Sequence, residues 1–349
     1  MRHIVVALTI LTAASASCAA DDYPIYVYPC PRASAAPVID GLLSDDCWRN
    51  APAVGGFTLY DRPEAVQVQT FFRVTYDDEA VYFGVLCEEP LTDKLSPTRT
   101  ARDDHGVFRQ EAIEFFIDPQ HSHQDYYQFA ASAAGSLYDS RKTDSSWNSS
   151  GRTAAHIADG QWSLELAIPW ADLKVTPRPG AIIGFNVCRD REVGLVREWT
   201  NWSQTMANFH DPDRFAHLVL SPTAEQLGAL GDEFRKGDRT GPLRIFSAEG
   251  FSDTSYRALA RLALANLDRL LADLQKVLDE ESDAATRAEL ESRIARHRRQ
   301  TERYRARIEG EEPIDAVAWS ALERDMRALA QRLGAAVWEA RLSALLSNL

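Results

Sequence analysis

The hydrophobic pattern of this chain changes its period once, between residue 222 and residue 251. Before that point, short apolar segments rich in β-branched and aromatic residues alternate with Gly, Pro, Asp or Asn, which is typical of strands joined by turns. Residues 23–222 are therefore predicted to form an antiparallel sandwich or barrel. The segments behind this prediction are VQVQTFFRVTYD, AVYFGVLCEE, EAIEFFIDP, YYQFAASAAG, WSLELAIPW, IIGFNVCRD and FAHLVLSP.

After residue 251, apolar residues recur at heptad spacing in three stripes separated by short polar breaks. Such stripes are typical of helices that pack on one another. Residues 251–349 are therefore predicted to form an α-helical C-terminal region of three coiled-coil-like helices, folded back as antiparallel hairpins. An intermolecular coiled coil is the alternative, through which this region would self-associate or bind a protein partner. The stripes are Leu264, Leu267, Leu271, Leu274, Leu278; Leu290, Ile294, His297, Thr301, Tyr304, Ile308; and Trp319, Leu322, Met326, Leu329, Leu333.

The change of period also predicts the domain boundaries. Residues 21–222 are assigned to the β domain, residues 223–250 to a linker that contains Gly and charged residues, and residues 251–349 to the helical region. We expect the fragments 21–222 and 251–349 to fold independently and to give β-type and helical circular dichroism, respectively.

The N-terminus has the features of a secretory signal. A short basic start precedes an apolar run that is too short to span a bilayer, and the small residues SASCAA follow it. Residues 1–20 are therefore predicted to be a signal peptide cleaved near Ala19 or Ala20, which would make the mature protein periplasmic, extracellular or cell-surface. Lipidation of Cys18, after cleavage before it, is the alternative.

Four cysteines follow the predicted cleavage site, and an exported protein can oxidise them. Cys87 and Cys188 each end an apolar strand-like segment, whereas Cys30 and Cys47 would close a short N-terminal loop. Four cysteines allow three connectivities. We predict at least one disulfide, with Cys87–Cys188 slightly preferred over Cys30–Cys47, and buried free thiols are the alternative.

The charge of the chain argues against a nucleic-acid partner. Its formal net charge is −13, of which residues 251–349 contribute 16 − 17 = −1, so the first 250 residues carry −12. Binding to phosphates needs a concentrated positive field. The same acidic balance argues against simple adhesion to anionic lipid.

Glu114 is the first candidate site residue. In the predicted strand EAIEFFIDP it shares one face with Ala112 and Phe116, while Ile113 and its apolar neighbours occupy the other. A carboxylate beside a small residue suggests a lined concavity. A charge that protects an edge strand from aggregation is the alternative.

The chain resembles the family 9 carbohydrate-binding modules over roughly residues 35–221. The resemblance implies a β-sandwich from a superfamily of secreted sugar- and haem-binding sandwiches, with structural calcium possible as the only cofactor. It does not cover the helical region. The motifs that carry it, in order, are DGLLSDDCWRNA, VYFGVLC, EAIEFFIDP, YYQF, WSLELAIPWADL, GFNVCRDR and FHDPDRFAHLVL.

The resemblance implies a site in which two aromatic side chains clamp a terminal sugar. Related modules have a Trp six residues before a strand Glu, and here Phe108 stands six residues before Glu114. Gln128 stands where they have an Arg, and the Asn that accompanies that Arg is missing. Asn208 and Phe209 stand near the position of their second Trp. Phe offers less area than Trp, so we expect weaker binding than in the Trp-clamped members.

Other aromatic residues complete the predicted set. In NFHDPDRFAHLVL the Asp-Pro-Asp turn leaves Phe209 displayed at the rim, with a role as a cap on the core as the alternative. Trp147 lies in a polar loop, where it would stack on a sugar or cover the core. Trp199 and Trp202 are three residues apart, so a strand would direct one to the core and the other toward the site. Of these, Trp147 and Trp202 are assigned to ligand binding.

These features predict a non-catalytic carbohydrate-binding protein that holds a saccharide, such as a chain end of a plant or algal polysaccharide, in support of polysaccharide catabolism. No catalytic residue is assigned, because nothing marks a second acid opposite the carboxylates of the EAIEFFIDP strand. One alternative is a b-type haem-binding electron-transfer sandwich, for which Met206 and His210 in one loop are available as axial ligands, with further histidines at positions 105, 121, 123 and 217. Another is a structural adaptor that acts through the helical region.

Overall fold

The computed structural model describes residues 23–234, 241–252 and 254–347. The predicted signal peptide and Cys18 lie outside the described residues. Within these ranges the chain is a β-sandwich followed by a helical region, which confirms the predicted fold class.

The strands are short and are separated by turns, as the punctuation of the sequence indicates. Over the described residues they are β1 Ile25–Cys30, β2 Thr58–Leu59, β3 Thr70–Tyr76, β4 Ala80–Glu88, β5 Ala112–Asp118, β6 Tyr127–Ser132, β7 Leu137–Arg141, β8 Arg152–Ala158, β9 Gln161–Pro169, β10 Ile182–Val193, β11 Val196–Asn201, β12 Ala216–Leu220, β13 Leu243–Ser247, β14 Gly250–Phe251 and β15 Thr254–Ser255. The helices are α1 Asp46–Asn50, α2 Trp170–Leu173, α3 Ala224–Phe234, α4 Tyr256–Glu280, α5 Ala284–Glu309 and α6 Ala316–Ser347.

Two sheets form the sandwich. The larger runs in the order β15-β14-β13-β1-β12-β10-β5-β6-β7, and β11 pairs with both β10 and β2. The smaller runs β3-β4-β9-β8. β5 pairs antiparallel with β10 on one side and with β6 on the other, so it lies in the interior of the larger sheet. Glu114 is therefore not an edge-strand charge.

The main core lies between the sheets and follows from the alternation of side chains along each strand. From β5, Ile113, Phe115 and Ile117 point inward and are buried against residues of the smaller sheet such as Phe83 and Leu164. The intervening residues of β5, including Glu114, point to the outer face of the larger sheet. The face assignment made from the sequence is thus confirmed.

An N-terminal turn is anchored to the outer face of the smaller sheet. Trp48 is 2% exposed and donates from Nε1 to Glu165 Oε1 over 2.8 Å. The other carboxylate oxygen of Glu165 accepts from the backbone N of Asp40 (2.9 Å) and of Gly41 (2.8 Å). Because this buried carboxylate has three donors, it fixes the turn against the sheet.

Residues 223–250, predicted to be a linker, contain ordered structure in their described part. Helix α3 packs Leu230 against Val27 and Val219 on the outer face of β1 and β12. β13 then pairs parallel with β1, with Ile25 opposite Leu243, and extends the larger sheet. The sequence did not indicate this strand because charged and Gly residues surround the short apolar segment LRIFS, whose partner is distant in sequence.

The helical region forms on the predicted stripes. α4 and α5 form an antiparallel hairpin, since Arg257 near the start of α4 donates to the carbonyl of Gly310 and Arg287 near the start of α5 donates to that of Leu278. α6 packs chiefly on α4, and their stripes share one apolar cluster. No described helix has an apolar stretch long enough to cross a membrane.

The predicted disulfides are absent. Cys30, Cys47, Cys87 and Cys188 are free and buried. Cys87 is on β4 of the smaller sheet, whereas Cys188 is on β10 of the larger sheet with its side chain on the outer face. The expectation that the two strand ends are neighbours in one sheet was therefore wrong.

Candidate functional site

A cavity of about 580 Å³ lies on the outer face of the larger sheet. We call it the outer-face cavity. Strands β5, β6 and β10 form its floor, and the loops that precede β5, follow β2 and precede β12 form its walls. Its lining residues are Tyr60, His105, Phe108, Glu114, Gln128, Tyr138, Lys142, Thr143, Asp190, Trp199, Ala207, Asn208, Phe209 and His210.

Strand register brings the polar floor together. Phe116 of β5 is opposite Gln128 of β6, and Ala112 of β5 is opposite Asp190 of β10. Since Glu114 lies between Ala112 and Phe116 on the same face, its carboxylate reaches both polar neighbours. Glu114, Gln128 and Asp190 are 5%, 6% and 4% exposed.

Hydrogen bonds fix the orientation of the floor. Gln128 donates from Nε2 to Glu114 Oε2 over 2.5 Å, and Ser140 Oγ donates to Gln128 Oε1 over 3.2 Å. The carboxyl group of Asp190 is hydrogen-bonded to that of Glu114. The three side chains therefore form one connected set rather than separate groups.

The two carboxyl groups disfavour each other's ionisation. Burial raises the pKa of Glu114 against the lowering effect of hydrogen bonds from Gln128 and Asp190. Burial, with repulsion from Glu114, raises the pKa of Asp190 well above its usual range. Like charges this close disfavour the ionisation of both groups, so the two carboxyl groups titrate as a coupled pair. Among the described residues, no Lys or Arg forms an ion pair with either group.

Aromatic rings make the walls. On one side Phe108 packs against Tyr138 with ring centroids 5.0 Å apart. On the other, Tyr60 makes edge-on contacts with Trp199 at 6.2 Å and with Phe209 at 6.0 Å. The cavity therefore combines an acidic floor with apolar faces on two sides.

The loop before β12 closes one end of the cavity. The carbonyl oxygen of the Asn208 side chain accepts from the backbone N of His210 over 2.7 Å. His210 bonds through Nδ1 to the Tyr126 hydroxyl at 2.9 Å, and its ring packs edge-on against Phe116. Loss of hydration lowers the pKa of His210, which favours the neutral imidazole.

Five of the seven predicted ligand-binding residues meet in this cavity: Phe108, Glu114, Gln128, Asn208 and Phe209. Phe209 differs from the expectation of a displayed rim residue, because it is only 8% exposed and packs on Tyr60 and Phe116 while also lining the cavity.

Trp202 and Trp147 do not line the outer-face cavity. Trp202 is 1% exposed and packs in the core against Phe72 and Phe246. Trp147 is half-buried and packs with a tilted ring against Tyr127, an inward-facing residue of β6, with ring centroids 4.6 Å apart. Neither side chain therefore lies with the other predicted residues: Trp202 lies beyond the end of β11 and turns inward, and the loop of Trp147 folds over the core.

Sequence reasoning missed Asp190, Trp199, Tyr60 and Tyr138. Trp199 is opposite Asp190 on β11 and is 42% exposed, so it is the member of the Trp199/Trp202 pair that reaches the site. Alternation around Cys188 would have placed Asp190 on one face of β10. However, only the pairing of β10 with β5 shows that this is the face of Glu114.

The other carboxylates near β5 have partners elsewhere. Glu111 is buried in the interior, where its Oε1 accepts from Arg189 Nε over 2.7 Å. Asp118 accepts from the backbone N of His123 over 2.7 Å. In the part of the chain that the structure describes, no group of three or more His, Cys, Asp or Glu side chains could hold a metal ion. Calcium binding stays a prediction without assigned ligands.

Residues 39–223 match the family model described as "Carbohydrate family 9 binding domain-like". The chain belongs to this family. The match covers all the residues that line the outer-face cavity and ends as α3 begins, so the helical region lies outside it. The resemblance drawn from the sequence motifs is confirmed.

The curated relatives are much longer than the matched region. The chain is 26% identical over 193 residues to endo-1,4-beta-xylanase A of Thermotoga neapolitana, and 27% identical over 200 residues to that of Thermotoga maritima. Each alignment covers 53% of this chain and 17% of the xylanase. A family 9 module from Caldicellulosiruptor kristjanssonii, solved with cellotriose, matches 58% of this chain and 95% of its own, with 19% identity and a TM-score of 0.44. That structural likeness is too low to bear on the site.

Proposed function

We propose that this family 9 module binds a saccharide in the outer-face cavity without cleaving it, within an exported protein that supports polysaccharide catabolism. The observation that carries the proposal is the meeting of Phe108, Glu114, Gln128, Asn208 and Phe209 around one cavity. Family membership is consistent with this proposal, since the matching family model describes a carbohydrate-binding domain.

The cavity has the chemistry that a sugar ring needs. Pyranose rings present flat C–H faces and a rim of hydroxyl groups. Phe108 and Tyr138 on one wall, with Tyr60 and Phe209 on the other, offer aromatic surface to the faces. Glu114 has acceptor capacity for the hydroxyls, since an ionised carboxylate accepts through both oxygens. A small number of polar groups in an otherwise apolar pocket is the usual arrangement of a small-ligand site.

The geometry of the carboxyl groups favours binding over hydrolysis. Glycosidases hold two carboxyl groups at least about 5 Å apart, on opposite sides of the scissile bond. Here the carboxyl groups of the cavity lining are Glu114 and Asp190, which interact with each other on the floor, so no carboxyl group of the lining lies opposite them. The xylanase activity of the longer relatives is therefore not proposed for this chain.

The test is a carbohydrate array with the full-length protein, followed by calorimetry with any saccharide that is retained. Glu114→Ala should reduce affinity about tenfold or more, because one hydrogen bond to a charged group contributes about 1.5–3 kcal/mol. Glu79→Ala, in the exposed β3–β4 turn, is the matched control and should bind like the wild type. Unchanged binding by Glu114→Ala would place the saccharide site elsewhere.

A further inference from the structure

The floor of the outer-face cavity holds two acidic side chains that no cationic side chain among the described residues pairs with. Glu114 and Asp190 are each at most 5% exposed, and the groups that bond to Glu114 are Gln128, which is neutral, and Asp190, which is acidic. Burying a charge is unfavourable unless an opposite charge or several donors compensate it. The cavity therefore leaves part of that compensation to its ligand.

The walls favour a cation as well. Aromatic rings present a negative face, and a cation within about 6 Å of such a face is attracted to it. Phe108 and Tyr138 line one side of the floor, and Tyr60, Phe209 and Trp199 line the other. A carboxylate at the base of an aromatic enclosure is suited to an ammonium group more than to a neutral hydroxyl.

The basic residues that line the cavity should repel a bound cation only weakly. Lys142 and His105 are exposed, so water screens their interaction with the floor. His210 keeps a lowered pKa and is bonded to Tyr126, which favours its uncharged form. None of the three forms an ion pair with Glu114 or Asp190 among the described residues.

We propose that the outer-face cavity prefers a saccharide that carries a protonated amine, such as an unacetylated hexosamine unit, with the ammonium group seated against Glu114 and Asp190. This inference rests on the proposed saccharide function and specifies its ligand class. The ammonium donates to the carboxylates where a neutral sugar would offer a hydroxyl, so the buried pair becomes compensated when the ligand binds.

The experiment compares four monosaccharides by calorimetry with the full-length protein at low ionic strength and at a pH below the pKa of the amine. They are D-glucosamine, D-glucose, N-acetyl-D-glucosamine and D-glucuronate. Glucosamine should bind about tenfold tighter than glucose, since it adds one charge-assisted contact. The N-acetyl sugar should lose this advantage because its nitrogen is uncharged, and glucuronate should bind most weakly.

Two variants test the origin of the preference. The double variant Glu114→Gln/Asp190→Asn keeps the shape of the floor and removes its charge, so the ratio of glucosamine to glucose affinity should fall to about one. Asp190→Asn alone keeps one carboxylate and should keep the preference. Near-isosteric amides relieve repulsion in the buried pair, so the double variant should fold, and its melting temperature checks this.

The outcomes separate the two proposals. If glucose or glucuronate binds as tightly as glucosamine, or if the double variant keeps the preference, the amine-binding inference is overturned while saccharide binding stands. The inference also fails if other saccharides on the array bind and none of these four does. If nothing on the array and none of the four binds, both proposals fail.

Discussion

At the scale of single residues, Asp190 decides the electrostatics of the site. It places a second carboxyl group against Glu114, and the two are buried together on the sheet. Burial and repulsion from Glu114 therefore raise the pKa of Asp190 above that of a solvated carboxyl group. That shift links the stability of the folded protein to pH.

Asp190→Asn is expected to raise the melting temperature at neutral pH. Folding raises the pKa of Asp190 above its value in the unfolded chain, which is about 4. The stability of the wild type therefore falls as the pH rises from the unfolded-state pKa through the folded-state pKa. The amide does not titrate, so the unfolding free energy of the variant should exceed that of the wild type by on the order of 1 kcal/mol at neutral pH. This difference should vanish below about pH 4. Thermal unfolding of both proteins across this range measures it.

The control for this measurement is Asp159→Asn, at the exposed turn between β8 and β9. Its melting temperature should follow that of the wild type at every pH. If Asp190→Asn raises the melting temperature by the same amount at every pH, repulsion between Glu114 and Asp190 is not the source of the gain.

At the scale of elements, the sandwich depends on turns that dock against strands. The turn at Asp40 and Gly41 sits over β8, with its backbone held by Glu165 of β9. Gly41 has φ +86°, and a Cβ there would lie 2.7 Å from the backbone of Ala155. Position 41 therefore needs glycine for two reasons: its conformation and its close approach to the sheet.

Gly41→Ala should destabilise the protein by about 2–4 kcal/mol, since backbone strain adds to a backbone clash. The matched variant is Gly160→Ala, because Gly160 has φ +76° and a Cβ there would meet nothing within 4 Å. It should cost about 1 kcal/mol, from conformation alone. Denaturant unfolding of the two variants isolates the contribution of the clash. If both variants lose the same free energy of unfolding, the turn moves away from β8 at little cost.

At the scale of the whole molecule, the sandwich and the helical region share surfaces. Ala53 and Phe71 of the sandwich belong to the same apolar cluster as the helices. Arg324 of α6 donates to Glu88 at the end of β4 over 2.8 Å. Between the two regions, β13 is part of the larger sheet. Independent folding of the two regions stays a prediction, but strands β13, β14 and β15 extend the larger sheet as far as Ser255.

A fragment of residues 21–222 should unfold at lower denaturant than one of residues 21–252. The shorter fragment loses the pairing of β13 with β1, and with it Phe246, whose ring lies 5.1 Å from Trp202 and 5.2 Å from Tyr26. Removing a buried aromatic ring costs about 3–5 kcal/mol. Unfolding monitored by tryptophan fluorescence measures the difference, and identical midpoints would mean that β13 is dispensable to the sandwich.

The sequence by itself determined what depends on local periodicity. Alternation along EAIEFFIDP placed Glu114 on the face opposite Ile113, and heptad spacing predicted the helices that bury Leu267 and Leu329. Family motifs located Phe108 and Phe209 near Glu114. Each of these inferences needs only neighbours a few residues apart, because side-chain direction repeats every two residues in a strand and about every 3.6 in a helix.

Only the tertiary structure decided what depends on pairing between distant segments. Asp190 joins Glu114 because β10 pairs with β5 in one particular register, and Cys188 stays apart from Cys87 because their strands belong to different sheets. A shift of one residue in that register would have turned Asp190 into the core. Register and sheet membership arise from the packing of the whole molecule, so the acidic floor of the cavity was not visible in any local stretch of sequence.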